Sequence, residues 1–238
     1  MATKFPFTFD SLFEQYKKAL DKGYKFMTCD EYFRTKPSDK DFVIVNRVDV
    51  DVSIKKAEIL SDMFFSLGIK GTFFLRLHTK EYNPISFESF NIVKNIFSKG
   101  HEIGYHSEIL DLEAMWKINA EKILKKDISL FKDFFEIEIK GVASHRGLTN
   151  INNLDFWKDK KAKDFNLNYE AYDTEPEFNL FNNSLYISDS EITQWKCYEN
   201  GKIVNKDNRS LGDHLDDMPN LIYLLIHPEV YYEKYPYQ

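Results

Sequence analysis

Arg47, Asp49 and Asp51 stand at alternate positions in the stretch VIVNRVDVDVS (43–53). Side chains two apart in a strand point the same way, so this spacing can put a guanidinium and two carboxylates on one side. Further along, Arg76, His106, the pair His145–Arg146, and His227 each follow a short apolar run. Asp and His together hold a divalent ion while leaving a coordination position open, and a water there becomes a nucleophile near neutral pH. Metal-assisted hydrolysis is therefore the chemistry these residue types can serve. Any one of these histidines, taken alone, reads as structural, and the alternate charges alone read as a solvated salt bridge. The recurrence at several run ends is what asks for an explanation.

Those run ends need elements to aim them. Val43–Val45 opens a buried strand, and Ser53 caps a helix whose apolar face is Ile54, Ala57, Ile59, Leu60, Met63 and Phe64. A helix is predicted over 8–22, capped by Thr8 and stopped by Gly23, and the segment 24–33 reads as a short connection. Strands are predicted over 71–77, 101–106 and 139–143, with helices over 84–98 and 112–134 between them. This alternation with short connections predicts an α/β fold with a parallel sheet or barrel, whose strand C-termini converge on one face. After Gly147 the pattern loosens. A Lys-rich helix is predicted over 154–165, short strands near Tyr169, over 185–188 and over 195–197, a mobile polar loop over 200–210, and a last strand over 221–226. No composition shift marks a second domain, so one domain over 1–238 is expected, its motif-bearing core at about 40–230.

The formal net charge of −6, with mixed signs and no polybasic block, argues against nucleic acid as the partner. The longest apolar run, 221–226, is far below membrane-spanning length. Two distant cysteines, Cys29 and Cys197, fit a reducing compartment, and the first ten residues lack a signal-like apolar core. A cytoplasmic protein is expected. Aromatic residues reach 16%, and since most fall at core-like spacing they are read first as core rather than as sugar-stacking platforms.

GIKGTFFLR (68–76) followed by GHEIGYHS (100–107) resembles the core of the NodB-type polysaccharide deacetylases, carbohydrate esterase family 4. RVDVD (47–51), FLRLHTKEYNPIS (74–86), SHRG (144–147), YISDS (186–190) and LIHPE (225–229) extend the resemblance, which is narrower still to a branch with an R-x-D-V-D first motif. The resemblance implies a distorted (β/α) barrel and a divalent metal of the zinc type. It implies Asp49 as catalytic base and Asp51 as metal ligand, although Val50 between them leaves the two roles interchangeable. His106 resembles the first histidine of the metal motif. Leu110 stands where the second belongs, so His145 is the expected replacement, with Glu108 and Asp111 as nearby alternatives. Arg146 resembles the arginine that orients the base, Asp189 and Trp195 the residues that line the acetyl pocket and tune the acid, and His227 the general acid. A backbone N–H near Gly147 is expected at the oxyanion. Arg76 is a candidate substrate contact, with a salt bridge as the alternative; His78 is a weaker one. His101 and His214 are left out, the first for its place at a strand start and the second as part of a solvated helix start.

The expected activity is removal of an N-acetyl group from an N-acylated sugar in surface-polysaccharide assembly. The rivals are a non-catalytic glycan-binding scaffold, which Leu110 favours, and hydrolysis of another C–N bond.

Overall fold

In the computed structural model, which describes residues 5–147 and 149–234, the chain opens with α1 (Phe9–Asp21). The Thr8 side chain accepts from the Ser11 backbone N–H at its start, and Gly23 at φ +85° ends it. β1 (Lys25–Met27) and α2 (Cys29–Thr35) come next, in the segment expected to be a plain connection. A reciprocal Thr28–Glu31 capping box opens that helix. β2 (Val43–Val50) is buried along its whole length. The alternation then runs α3 (Ile54–Ser66), β3 (Thr72–Leu75), α4 (Phe87–Ser98), β4 (Glu102–Ser107), α5 (Ile109–Trp116), α6 (Ala120–Phe135) and β5 (Gly141–Ser144). After it come β6 (Tyr169–Glu170), α7 (Leu180–Asn183), β7 (Leu185–Ser188), β8 (Lys196–Glu199), β9 (Lys202–Ile203), α8 (Leu211–His214) and β10 (Leu221–Ile226).

One sheet carries all ten strands, in the order β6-β5-β4-β3-β2-β10-β7-β8-β9 with β1 added beside the start of β2. Every pairing from β6 to β7 is parallel, and β8 and β9 are antiparallel. The sheet has two faces and two cores. Ile44, Val48 and Val50 of β2 join the core shared with the helices, whereas Val43 and Val45 join an inner cluster with Phe74, Ala143, Tyr169, Tyr186, Tyr223 and Leu225. That inner cluster draws on β2, β3, β5, β6, β7 and β10, so the sheet curls around it. Among the described residues no ladder joins β6 to β9, and side chains across the interior link β6 to β10 instead. Phe178 stacks on Tyr169 and meets Tyr223 edge-on, and the Tyr223 hydroxyl donates to the Ala171 carbonyl at 3.2 Å. The result is an α/β fold in the form of a distorted, laterally open barrel.

Three further expectations change. The helix predicted over 112–134 is two helices, because Lys117 turns left-handed (φ +58°) and Asn119 caps α6 afresh. The Lys-rich helix is two short 3-10 turns, Asn153–Trp157 and Ala162–Phe165. The loop over 200–210 begins as the turn of a β8–β9 hairpin, with Asn200 and Gly201 both at positive φ.

Candidate active site

Period two does the positioning. In β2 the inward series Val43, Val45 continues as Arg47, Asp49 and, just past the strand, Asp51. In β10 the inward Tyr223 and Leu225 are followed by His227. Outward Ile103 and Tyr105 in β4 leave His106 facing in, and Ala143 in β5 sets the direction for His145. Gly104 faces in as well, and any side chain there would run into the Phe74 ring. Four strands thus deliver Asp49, Asp51, His106, His145 and His227 to one cavity of about 240 Å³ at the sheet's C-terminal edge. A larger cavity, about 520 Å³, opens at the other end by Val43, Leu185 and Leu221, where the strands begin. Strand starts in parallel α/β folds rarely carry chemistry, so the smaller cavity is the candidate site.

Asp51, His106 and His145 each offer a ligand atom, all within 4.8 Å of one another. His106 Nδ1 lies 2.8 Å from the Ala143 carbonyl, which can only accept, so that nitrogen carries the proton. Nε2 of a neutral His106 then presents a lone pair to Asp51 Oδ1 at 3.1 Å, and Oδ1 is buried without a hydrogen bond. Two acceptors held face to face are stable only with a proton or a cation between them. The residues therefore fit a divalent ion. Without one, burial opposes the imidazolium, but Asp49 and Asp51 outweigh it and raise the His106 pKa. Asp51 is held well below the usual carboxylate range: burial works against its charge, and His106, His227 and His145 overcome it.

His145 Nε2 is 3.7 Å from Asp51 Oδ2, and its Nδ1 is 3.2 Å from Glu108 Oε1. Glu108 is thus placed behind His145, as an orienting carboxylate stands behind a metal-binding histidine. It is buried and also takes Arg76 Nη2 at 2.6 Å. Asp111 accepts from the Thr149 hydroxyl and Asn153 Nδ2, shaping the loop after β5.

Arg47, not Arg146, grips Asp49. Its Nε and Nη2 donate to the two carboxylate oxygens at 2.8 and 2.7 Å, a buried bidentate pair. Tyr172 covers the guanidinium, 4.6 Å from ring centre to Cζ. Burial opposes the Asp49 charge, yet Arg47 keeps its pKa below the usual range. Arg146 instead is exposed on the cavity rim, because the inward position in SHRG falls to His145.

Across the cavity, Asp189 takes His227 twice, from the backbone N–H at 2.9 Å and from ring Nδ1 at 2.6 Å. Burial would lower the His227 pKa, but Asp189 pushes it up to about 10. Its Nε2 faces Asp51 Oδ2 at 4.0 Å.

Two residues expected to meet substrate do not line the cavity. Arg76 is buried, donating to the Asp51 carbonyl at 2.9 Å as well as to Glu108, so it braces the ligand loop. Trp195 is fully buried and stacks against Phe7, with Phe5 edge-on. It sits one residue before β8, on the helix-facing side. His78 pairs with Asp127, and His101 accepts from the Gly71 N–H. His214 is buried rather than solvated. The cavity wall that the sequence reading missed is aromatic: Tyr172, Phe181, Tyr186 and Tyr198. The period-two pair Tyr186/Ser188, leading to Asp189, was the available signal.

No protein-family model and no curated protein matches the chain. Among solved structures it is similar to the Streptococcus pyogenes deacetylase PplD, solved in complex with acetate, at a TM-score of 0.46 and 16% identity over 67% of this chain and 70% of that one. It is also similar to IcaB from Ammonifex degensii, at a TM-score of 0.42 and 14% identity over 63% and 71% of the two chains.

Proposed function

We propose that the chain is a metal-dependent hydrolase that removes an N-acetyl group from an amino-sugar or glycan intermediate. The observation that carries this reading is the buried His106 Nε2, its Nδ1 taken by the Ala143 carbonyl, facing Asp51 Oδ1 at 3.1 Å, with His145 beside them and two more charged pairs at hand. Asp51, His106 and His145 would hold the ion. A divalent metal of the zinc type there supplies Lewis acidity toward an amide carbonyl and an acidified water. Asp49, kept ionised and fixed in direction by Arg47, takes the proton of the attacking water. His227, kept protonated by Asp189, gives a proton to the departing amine. Tyr172, Phe181, Tyr186 and Tyr198 offer apolar faces with polar tips, which suits a sugar ring in a cavity of this size. Arg146 on the rim is placed to meet a polar or anionic part of the substrate.

Elemental analysis of protein purified without chelator, joined to a panel of N-acylated sugars, tests the proposal. A divalent ion that is lost in Asp51→Asn, and release of acetate that is lost in the same variant, are the expected results. Folded protein whose metal content at high zinc is the same in wild type and Asp51→Asn would overturn it and favour the glycan-binding scaffold.

A further inference from the structure

A second group of metal-type ligands lies away from the cavity. Cys197 of β8, Asp207 in the connection after β9 and His214 at the end of α8 place a sulfur, a carboxylate oxygen and an imidazole nitrogen within 4.8 Å of one another. Cys197 and His214 are almost fully buried, and neither cysteine of the chain is in a disulfide. His214 Nε2 is buried without a hydrogen-bond partner and lies 3.6 Å from Asp207 Oδ1. A polar nitrogen sealed in the interior without a partner is rare in folded proteins, and it marks a ligand when other donors converge on it. Ion–ligand bonds of about 2.0–2.3 Å in a tetrahedron separate the donors by roughly 3.3–3.8 Å, a range that contains the observed His–Asp separation.

We propose that Cys197, Asp207 and His214 form a structural metal site for a thiophilic divalent cation of the zinc type. The sulfur selects against magnesium and calcium, and the mixed sulfur, nitrogen and oxygen set suits zinc or cobalt. Arg209 donates to both Asp207 oxygens, at 3.1 and 3.0 Å, and so stands behind the carboxylate as an outer partner. Cys197 and Asp207 also line a cavity with Gln194 and Asn208, from which a solvent oxygen would complete the set. All three ligands lie within one short stretch of chain, so the ion clips the β8–β9 hairpin to α8. Adjacent residues of a strand face opposite ways: Cys197 points away from the active-site cavity, while Tyr198 lines it. The clip therefore braces the strand that carries part of the aromatic wall.

Cobalt titration of chelator-stripped full-length protein tests this, because a thiolate-to-cobalt charge-transfer band in the near ultraviolet reports sulfur ligation. The Asp51, His106 and His145 set contains no sulfur, so the readout is independent of the proposed hydrolase. The band should be fully developed by two equivalents of cobalt in the wild type and by one in His106→Gln. It should vanish in Cys197→Ser, and His214→Gln should weaken cobalt affinity at least about tenfold. Cys29 is the only other thiol of the chain, so the band should survive in Cys29→Ser, which decides the matter if Cys197→Ser does not fold. A folded wild type that gives no band at saturating cobalt, or a band that survives in Cys197→Ser, would overturn the proposal.

Discussion

His106 and His227 face the same carboxylate, Asp51, from opposite sides of one cavity, yet they are built for opposite tasks. The ring nitrogen turned away from the cavity makes the difference. His106 Nδ1 meets a backbone carbonyl, which takes a proton without adding a charge and leaves Nε2 as a lone pair for a cation. His227 Nδ1 meets the Asp189 carboxylate, whose charge favours the imidazolium, so Nε2 keeps a proton to give away. In the proposed mechanism histidine is a ligand on the β4–β5 side and an acid on the β7–β10 side, and it is the outer partner, not the residue type, that suits each to its role.

The largest expected effect comes from breaking the ligand side. Asp51→Asn or His106→Gln should lower the zinc content by one ion per chain and leave deacetylation at the uncatalysed background, read by metal analysis and acetate release. On the acid side, His227→Ala should lower kcat by about 10²–10⁴-fold with metal content unchanged. Activity within a few-fold of wild type would remove His227 from the mechanism. Weakening the support behind His145 should be milder: Glu108→Gln is expected to lower zinc affinity by roughly 10–100-fold in a competition titration. The smallest effect concerns pH. Because the folded His227 pKa is raised from 6.5 to about 10, its stabilisation is fully present below pH 6.5 and lost as pH rises through about 10. In metal-free protein, urea unfolding should show this alkaline loss, and Asp189→Asn should flatten it. An unchanged slope in Asp189→Asn would mean that Asp189 does not set the histidine's charge.

The alternation of strand and helix was legible because β2, β3 and β10 carry apolar runs with polar residues at their ends. The convergence of strand C-termini, read without structure, brought Asp49, Asp51, His106, His145 and His227 to one face. What it could not give were contacts between side chains from different strands. Arg47 lies two residues from Asp49 and reaches it through a strand-end geometry that spacing permits but does not require. The motif pointed to Arg146 instead, one residue past the inward position. The resemblance places Trp195 at the pocket, whereas the partners that bury it, Phe5 and Phe7, are nearly the whole chain away in sequence. The Asn200–Gly201 turn was a missed hairpin signal, hidden by the polar residues on either side.

β2 owes its central place to a partner that is made late. Its parallel register with β10 pairs Val43 with Leu221 and Val48 with Ile226, so its flank on that side stays open until more than two hundred residues have been synthesised. β3 can cover the other flank early. Contacts this distant in sequence slow folding, and an open apolar strand is a site for wrong pairing during that wait. Pulse-labelled hydrogen exchange during refolding should accordingly find the β3–β4 amides protected before those of β10. The carboxylates at the tip of β2 and the histidine at the tip of β10 would then meet among the last events of folding, so partly folded chains would hold some of the metal ligands but not the acid.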